Sequence, residues 1–367
     1  MDSFSIYEIS YREIIVIGLI LIITFYILYQ MYKKRRYLRE KLKEVEGFTV
    51  IPVANRPITI QNIASSRANY SLFEYCIKAS YNSAYDGSNM TLLALDDVIS
   101  RGCRFMDFEI YLVDESPCVG YSTDSTFSTL TSGNTLLLKD VFHEIVGNCF
   151  TGNCPNPRDP LFVHLRINTT CGLSNSSSCE IYQQVAAIIQ STLLPRLYVD
   201  KNKKAIPVLQ TTKLADMAGK IVLVMDASVN RDYKNYSVCD STNTTNTKCY
   251  DLTQYINIES GGTQWKMYKF SDFLNRTQNP LIVDSKDPAI AEPSNGSLSL
   301  QLVLPDRGVN VQNASFPLSN ISSYGCQTVA MKFYKRDKAL KDYEALFNEY
   351  KTAFVPLGTA VNYIDKH

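Results

Sequence analysis

Several residue types that common functional sites need are scarce in this sequence. It has only three histidines, one tryptophan, no Cys-x-x-Cys pair and no glycine-rich phosphate loop. Zinc ligands are therefore few, and a P-loop nucleotide site is not indicated. A charge surplus is also absent, because 37 basic residues face 36 acidic ones. Domains that bind nucleic acid usually carry a basic surplus, so we expect no nucleic-acid partner.

The composition is that of a folded protein. Of 367 residues, 45% are hydrophobic and 11% aromatic, which is too apolar for a disordered chain. The length allows two domains, or one large barrel with a tail.

An uncharged apolar run at 14–32 predicts a single transmembrane helix. At about 1.5 Å per residue this run matches the roughly 30 Å hydrocarbon core of a bilayer. A cleaved signal peptide would need a basic segment before the apolar run. Here the basic cluster, Lys33 to Arg36, follows it instead. We therefore expect a single-pass membrane protein.

The orientation of the chain in the membrane stays open. Seven basic residues between 33 and 43 favour a body on the cytoplasmic side by the positive-inside rule, and they could also contact anionic lipids. Asn-x-Ser/Thr triplets favour the opposite side, although each one is weak evidence. They begin at Asn69, Asn89, Asn168, Asn175, Asn235, Asn243, Asn275, Asn295, Asn313 and Asn320.

Three cysteine pairs also favour an oxidising compartment, because each brackets a short polar loop. Local disulfides are the preferred interpretation, and free thiols or a metal site are the alternatives. The pairs are Cys149 with Cys154, Cys171 with Cys179, and Cys239 with Cys249.

Apolar runs of strand length alternate with amphipathic helical segments from about residue 71. This order predicts an α/β fold with a parallel sheet, and a TIM (β/α)8 barrel is the economical way to close it. The predicted divisions are an N-terminal tail at 1–13, the transmembrane helix at 14–32, a basic juxtamembrane linker at 33–69, the barrel at 70–355 and a C-terminal tail at 356–367. The predicted strands are YCIKA, FMDFEIYLV, LFVHLRI, KIVLVMD, WKMYKF, LSLQLVL and TVAMKFY.

Five segments, in this order, resemble the X domain of phosphatidylinositol-specific phospholipase C. The resemblance covers roughly residues 70–350 and implies a phospholipase-C-like TIM barrel, closest to viral and microbial-eukaryote versions. It also implies that Cys103 and Cys326 are buried core thiols. The segments are CIKASYNS (76–83), RGCRFMDFE (101–109), SPCVGY (116–121) with LLLKDV (136–141), PLFVHLRI (160–167) and GCQTVAMKF (325–333).

The resemblance assigns unusual residues to the catalytic positions. Enzymes of that family use two histidines for acid–base chemistry, and these positions are Tyr81 and Tyr121 here. Tyrosine, with a pKa near 10, is a poor acid or base at neutral pH. The implied calcium ligands are Asn82, an Asp107-x-Glu109 pair in swapped order, and a position now occupied by Arg166.

Alternation along strands places Asp107 and Glu109 on one face, and His164 and Arg166 on one face of another strand. We predict that Arg166 pairs with these carboxylates and takes the place of the metal. An ordinary interior ion pair and a vestigial ligand site are equally good interpretations. His164 could be a displaced catalytic base, but a hydrogen-bonded core histidine is commoner.

Three functions are compatible with these features. The first is a membrane-anchored phospholipase-C-like barrel that has lost catalysis and acts as a phospholipid-binding or structural module. The second is a divergent, active phosphodiesterase acting on phosphoinositides through Tyr81, Tyr121 or His164. The third is an exposed glycoprotein that binds a protein partner. We expect no cofactor, unless the vestigial site still binds Ca²⁺, and membrane lipids, anionic phosphoinositides among them, as partners.

Overall fold

A ring of eight parallel strands forms the centre of the computed structural model. The structure describes Tyr29 and residues 59–124, 129–169, 180–237, 250–274, 300–308, 313, 318, 321 and 325–366. The ring strands are β1 (Tyr75–Ser80), β2 (Phe105–Val113), β5 (Leu161–Ile167), β6 (Ile221–Asp226), β7 (Ile258–Ser260), β8 (Trp265–Lys269), β9 (Leu300–Leu304) and β10 (Thr328–Met331).

The ring closes because β1 pairs in parallel with β2 on one side and with β10 on the other. The remaining strands are antiparallel additions. They are β3 (Ser116–Gly120) against β2, β4 (Leu136–Leu137) against β3, and β11 (Phe354–Pro356) against β1. A TIM barrel is thus confirmed.

Helices surround the ring. In the described part of the chain they are α1 (Leu92–Ser100), α2 (Leu138–Asn148), α3 (Glu180–Thr192), α4 (Tyr233–Ser237), α5 (Phe270–Leu274), α6 (Lys338–Tyr350) and α7 (Leu357–Ile364).

The Thr91 side chain caps α1 by accepting a hydrogen bond from the Ala94 amide. Gly102 follows α1 with φ of 74°, where a Cβ would meet the Ile60 side chain at 2.6 Å. Glycine is thus required at the end of this helix.

The ordered body extends beyond the predicted limits 70–355 at both ends. Before it, Ile60 is buried and the Gln61 amide donates to the Lys351 carbonyl. After it, the predicted tail at 356–367 contains α7, which buries Leu357, Ala360 and Val361 against the barrel. The segment looked like a tail because it is short and follows the last family motif, but its apolar residues recur at helical spacing.

The predicted transmembrane helix at 14–32 lies outside the described residues, apart from Tyr29, which is helical and exposed. Among the residues that the structure describes, no helix has the length and apolar character to cross a bilayer.

The predicted disulfide between Cys149 and Cys154 does not form, because both residues are free, buried thiols. They pack around the guanidinium of Arg104, which donates to the Cys154 sulfur at 3.0 Å and to the Cys149 carbonyl at 3.1 Å. The other predicted pairs, Cys171 with Cys179 and Cys239 with Cys249, lie outside the described residues. Cys103 and Cys326 are buried, as the resemblance implies.

We predict that α7 is needed for stability. Leu357→Ala should lower the free energy of unfolding by about 2–5 kcal/mol, because it empties a fully buried site. Leu209→Ala, at a position 55% exposed, is the control and should change it by less than about 0.5 kcal/mol. Denaturant unfolding of both variants measures the difference, and equal effects would show that α7 is dispensable.

A candidate functional site at the barrel mouth

The carboxyl ends of β1, β2 and β5 bring four of the predicted site residues together. In the sheet register, Asp107 lies beside His164 and Glu109 beside Arg166. Asn82 follows β1 in a left-handed conformation, with φ of 43°. Its side chain is thereby directed at the same cluster, where Asn82, Asp107, Glu109 and Arg166 are all at most 3% exposed. This is the end of the barrel where TIM-barrel enzymes place their active sites.

The predicted ion pair between Arg166 and the two carboxylates is present. The Arg166 Nε donates to Asp107 Oδ1 at 2.7 Å and Nη2 donates to Asp107 Oδ2 at 2.5 Å. The third nitrogen, Nη1, donates to Glu109 Oε1 at 2.7 Å. A further contact joins Nη2 to the Asn82 side-chain oxygen at 3.3 Å. Four of the five guanidinium hydrogens are therefore engaged with residues of this cluster.

The remaining lone pairs of the carboxylates are also used. The backbone amide of Asn82 donates to Asp107 Oδ2 at 3.0 Å, and the Tyr111 hydroxyl donates to Glu109 Oε2 at 2.5 Å. The Ser122 amide and Arg307 Nη1 add contacts to Glu109 Oε2 at 3.3 and 3.5 Å. Two buried negative charges are in this way compensated by two guanidinium groups and several neutral donors.

The pairing of Arg166 with the carboxylates determines the pKa shifts of Asp107 and Arg166. Burial alone would raise the pKa of Asp107, but the Arg166 charge and the His164 hydrogen bond outweigh it and hold the pKa well below its usual range. Burial likewise opposes the charge of Arg166, and the two carboxylates reverse that effect and raise its pKa well above the usual value. Both groups stay charged at neutral pH.

Calcium does not fit this cluster. Ca²⁺ needs six to eight oxygen ligands, and the oxygens that the resemblance implies are those that accept hydrogen bonds from Arg166. A permanent positive charge at the centre of the cluster also repels a divalent cation. Within the described ranges, no group of three or more His, Cys, Asp or Glu residues could hold a metal ion.

Tyr81 and Tyr121, which the sequence resemblance aligns with two catalytic histidines, lie together at the mouth in an edge-to-face contact with centroids 6.3 Å apart. Burial raises the pKa of both phenols above the ordinary value. Tyr81 also stacks over Arg166, with its ring centroid 5.0 Å from the guanidinium carbon. Tyr85 lies 4.7 Å from Tyr121 and 4.9 Å from Tyr334 between ring centroids. Four tyrosines thus fill the space above the ion cluster.

A short segment after β9 closes over these rings. The Gly308 amide donates to the Tyr121 hydroxyl at 3.2 Å, and Arg307 donates to the Ser122 carbonyl at 2.8 Å. The Lys332 ammonium holds the segment from the other side, through the carbonyls of Asp306 at 3.0 Å and Gly308 at 3.3 Å. Burial lowers the pKa of Lys332 to about 8.

His164 belongs to a hydrogen-bonded chain in the barrel interior. Its Nδ1 lies 2.8 Å from Asp107 Oδ1, and its Nε2 lies 2.7 Å from the Ser260 hydroxyl. An Asp–His–Ser order is also that of a hydrolase triad, but all three residues are fully buried and Asp107 is already bound by Arg166. The chain satisfies the polar groups of a buried histidine.

Sequence reasoning identified the ion cluster but missed several of its neighbours. Alternation and motif order predicted Asp107, Glu109, His164 and Arg166. Ser260 was missed because β7 has only three residues and gives no strand pattern. Tyr111 was also missed, although it lies two residues after Glu109 on the same strand face. Lys332 stood within a family motif, but Arg307 carried no signal.

We predict that Arg166 is essential for stability. Arg166→Met leaves Asp107 and Glu109 buried without their main counter-charge, which should cost about 3–5 kcal/mol of unfolding free energy. Arg307→Met, at a side chain 20% exposed and 3.5 Å from Glu109, should cost clearly less. Denaturant unfolding at neutral pH compares the two variants, and an equal loss would contradict the central role of Arg166.

Comparison with known proteins identifies the fold of this chain. No family model and no curated protein matches this chain. Among solved structures it is similar to PLC21 from S. officinalis (TM-score 0.53, 14% identity) and PLC21 from L. pealei (TM-score 0.50, 15% identity), covering 79% of this chain in each case. It spans only 37% of the length of those two proteins.

A bacterial structure matches over nearly its whole length. It is a calcium-dependent phosphoinositol-specific phospholipase C from Pseudomonas sp, with a TM-score of 0.49, 11% identity, and coverage of 82% of this chain and 99% of that one. At such identities the likeness to the PLC21 structures concerns the fold alone, and this chain shares their TIM-barrel fold.

Proposed function

We propose that this protein is a membrane-anchored phospholipase-C-like barrel that has lost catalysis and acts as a phospholipid-binding module. The observation that carries the proposal is the Arg166 guanidinium, which occupies the centre of the carboxylate cluster where a catalytic cation would be held. The phospholipid part of the proposal rests on the fold likeness and on an apolar rim described below.

The loss of acid–base groups supports the same conclusion. Cleavage of a phosphodiester by this kind of barrel needs a group that gains or loses a proton near pH 7 beside the reacting atoms. Tyr81 and Tyr121 are buried phenols with raised pKa values, so neither is poised for that task. Each missing general acid or base costs about 10²–10⁴ in rate. Four tyrosines, at positions 81, 85, 121 and 334, also pack against one another above the ion cluster.

An exposed apolar rim supports contact with lipid. Leu93, Leu130 and Leu137 are 43%, 37% and 49% exposed. They lie on two segments, 85–93 and 129–137, that are held together by backbone and side-chain hydrogen bonds. The first of these segments follows the carboxyl end of β1, so the rim borders the barrel mouth. Exposed leucines in one region are typical of a surface that meets a partner or a membrane.

We expect no cleavage of phosphatidylinositol. The full-length protein in mixed micelles should release no inositol phosphate above a buffer blank, with Ca²⁺ or with a chelator, because it lacks both the cation site and the acid–base pair. Product formation that disappears in Tyr121→Phe would refute the loss of catalysis.

Replacing Arg166 by a carboxylate is a second test of the proposal that its guanidinium occupies the position of a catalytic cation. Arg166→Glu would add a third carboxylate to the oxygens of Asn82, Asp107 and Glu109, and such a set suits Ca²⁺. The melting temperature of this variant should rise on addition of millimolar Ca²⁺, whereas that of the wild type should not change. Arg166→Gln is the matched control without the added carboxylate. Stabilisation of the wild type by Ca²⁺ would contradict the proposal.

The apolar rim predicts a measurable lipid affinity. In vesicle flotation with phosphatidylcholine, phosphatidylserine and phosphatidylinositol, the barrel unit 52–367 should bind, and the triple change of Leu93, Leu130 and Leu137 to Ser should weaken binding at least about tenfold. Burying one leucine contributes about 1.5–3 kcal/mol, and about 1.4 kcal/mol corresponds to a factor of ten.

Leu209→Ser is the control for that experiment. Leu209 is more exposed than the rim leucines but lies beside Gln210, which contacts Ser71 ahead of β1, at the other end of the barrel. Equal losses for both variants would assign the effect to general hydrophobicity. A folded unit, shown by cooperative thermal unfolding, that does not float would contradict lipid binding.

A divergent hydrolase is the second candidate, and the Asp107–His164–Ser260 chain is the observation that favours it. Its complete burial argues against it. Turnover of a phosphodiester or ester that is lost in Ser260→Ala but kept in Tyr121→Phe would support this candidate.

A further inference from the structure

One of the potential glycosylation asparagines is buried within the fold. Asn313 is only 5% exposed, and its side-chain nitrogen donates to the carbonyls of Lys332 and Lys335 at 3.0 Å each and to Asp337 at 3.2 Å. Its side-chain oxygen accepts from the Lys332 amide at 2.7 Å. These bonds fix the turn between β10 and α6, where Asp337 also caps the helix.

A glycan on Asn313 cannot coexist with this arrangement. N-glycosylation replaces one hydrogen of the side-chain nitrogen with a large hydrated sugar. Hydrogen bonds of that nitrogen would be lost or blocked, and buried carbonyls would be left without donors, at about 1–3 kcal/mol each. Asn168, which begins a second triplet at the end of β5, is also only 5% exposed. In contrast, Asn69 and Asn235 are exposed.

The burial of these asparagines matters because glycosylation takes place before the chain folds. In the secretory pathway of a eukaryotic cell, the glycan is added as the chain emerges, before a barrel can close around Asn313 or Asn168. A chain entering that compartment would therefore present both triplets to the modifying enzyme at positions that the fold must bury.

The cysteines give independent evidence about the compartment in which the barrel folds. Cys76, Cys103, Cys118, Cys149 and Cys154 are free thiols, and all of them are buried. Cys149 and Cys154, separated by four residues, are the described pair closest in sequence, yet they form no disulfide and pack around Arg104. Small loops with paired cysteines are usually oxidised in an oxidising compartment, whereas thiols persist in a reducing one.

We infer that the barrel folds on the side of the membrane where neither N-glycosylation nor disulfide formation occurs, which is the cytosolic side in a eukaryotic cell. The seven basic residues at 33–43 agree independently with this orientation. The inference goes beyond the proposed function, because it holds whether or not the barrel binds lipid. It also argues against the third function considered from sequence, an exposed glycoprotein.

The test uses the full-length chain, expressed in a eukaryotic cell with an N-terminal extension that carries one glycosylation triplet. We expect a mass decrease of one glycan on endoglycosidase treatment, from the extension alone, and alkylation of all ten cysteines in the denatured, unreduced protein. Glycans on the barrel of a folded, protease-resistant protein would overturn the inference.

A second version separates topology from folding. A cleavable signal peptide in place of residues 1–32 sends the barrel into the secretory pathway, where we expect glycosylation and loss of protease resistance. Thr170→Ala with Ser315→Ala removes both buried triplets while keeping Asn168 and Asn313, and should restore part of that resistance. A secreted form that is glycosylated at Asn313 and as resistant as the cytosolic protein would refute the argument from burial.

Discussion

The contact between Arg166 and the carboxylates of Asp107 and Glu109 determines how the barrel mouth is built. Two acidic side chains that lie two residues apart on the same strand face cannot be buried without compensation, because the desolvation of each ion costs several kcal/mol. The planar guanidinium meets both of them with hydrogen bonds, and the Asn82 side chain completes the set. The guanidinium thus balances the two carboxylates from within the protein.

The other features of the mouth follow from that neutralisation. Tyr81 can cover the guanidinium with its ring, because a cation on an aromatic face is favourable even when solvent is excluded. Tyr121, Tyr85 and Tyr334 then pack above it as an apolar layer with polar ends. The segment 305–308 closes the layer, held by Lys332 beneath and by Arg307 reaching Ser122. The mouth is thus built as a second core, at the end of the barrel where TIM-barrel enzymes place their active sites.

The sequence predicted the elements whose apolar residues follow a regular pattern, and missed those that depend on tertiary contacts. The strands β2 and β5 were predicted to the residue, because their long apolar runs leave little choice. The pairing of Arg166 followed from alternation and from strand order. In contrast, β7 is three residues long and is defined only by its neighbours. The Cys149–Cys154 disulfide was wrong because loop spacing cannot reveal that Arg104 is buried between the two residues.

The closure of the ring also shapes the way in which this chain can reach its fold. Strand β10 pairs with the edge of β1 that faces away from β2, and β11 pairs with the other edge, some 250 and 280 residues further along the sequence. Until β10 has been synthesised, the edge of β1 that faces away from β2 presents unpaired backbone N–H and C=O groups, and contacts of such separation are entropically costly to form. Trp265 and Phe105, on strands far apart in sequence, pack against each other in the interior, so this part of the core forms only when both halves of the barrel are present. Folding of this protein is therefore expected to be late, slow and cooperative, and its nascent chain to depend on protection of that first strand from aggregation.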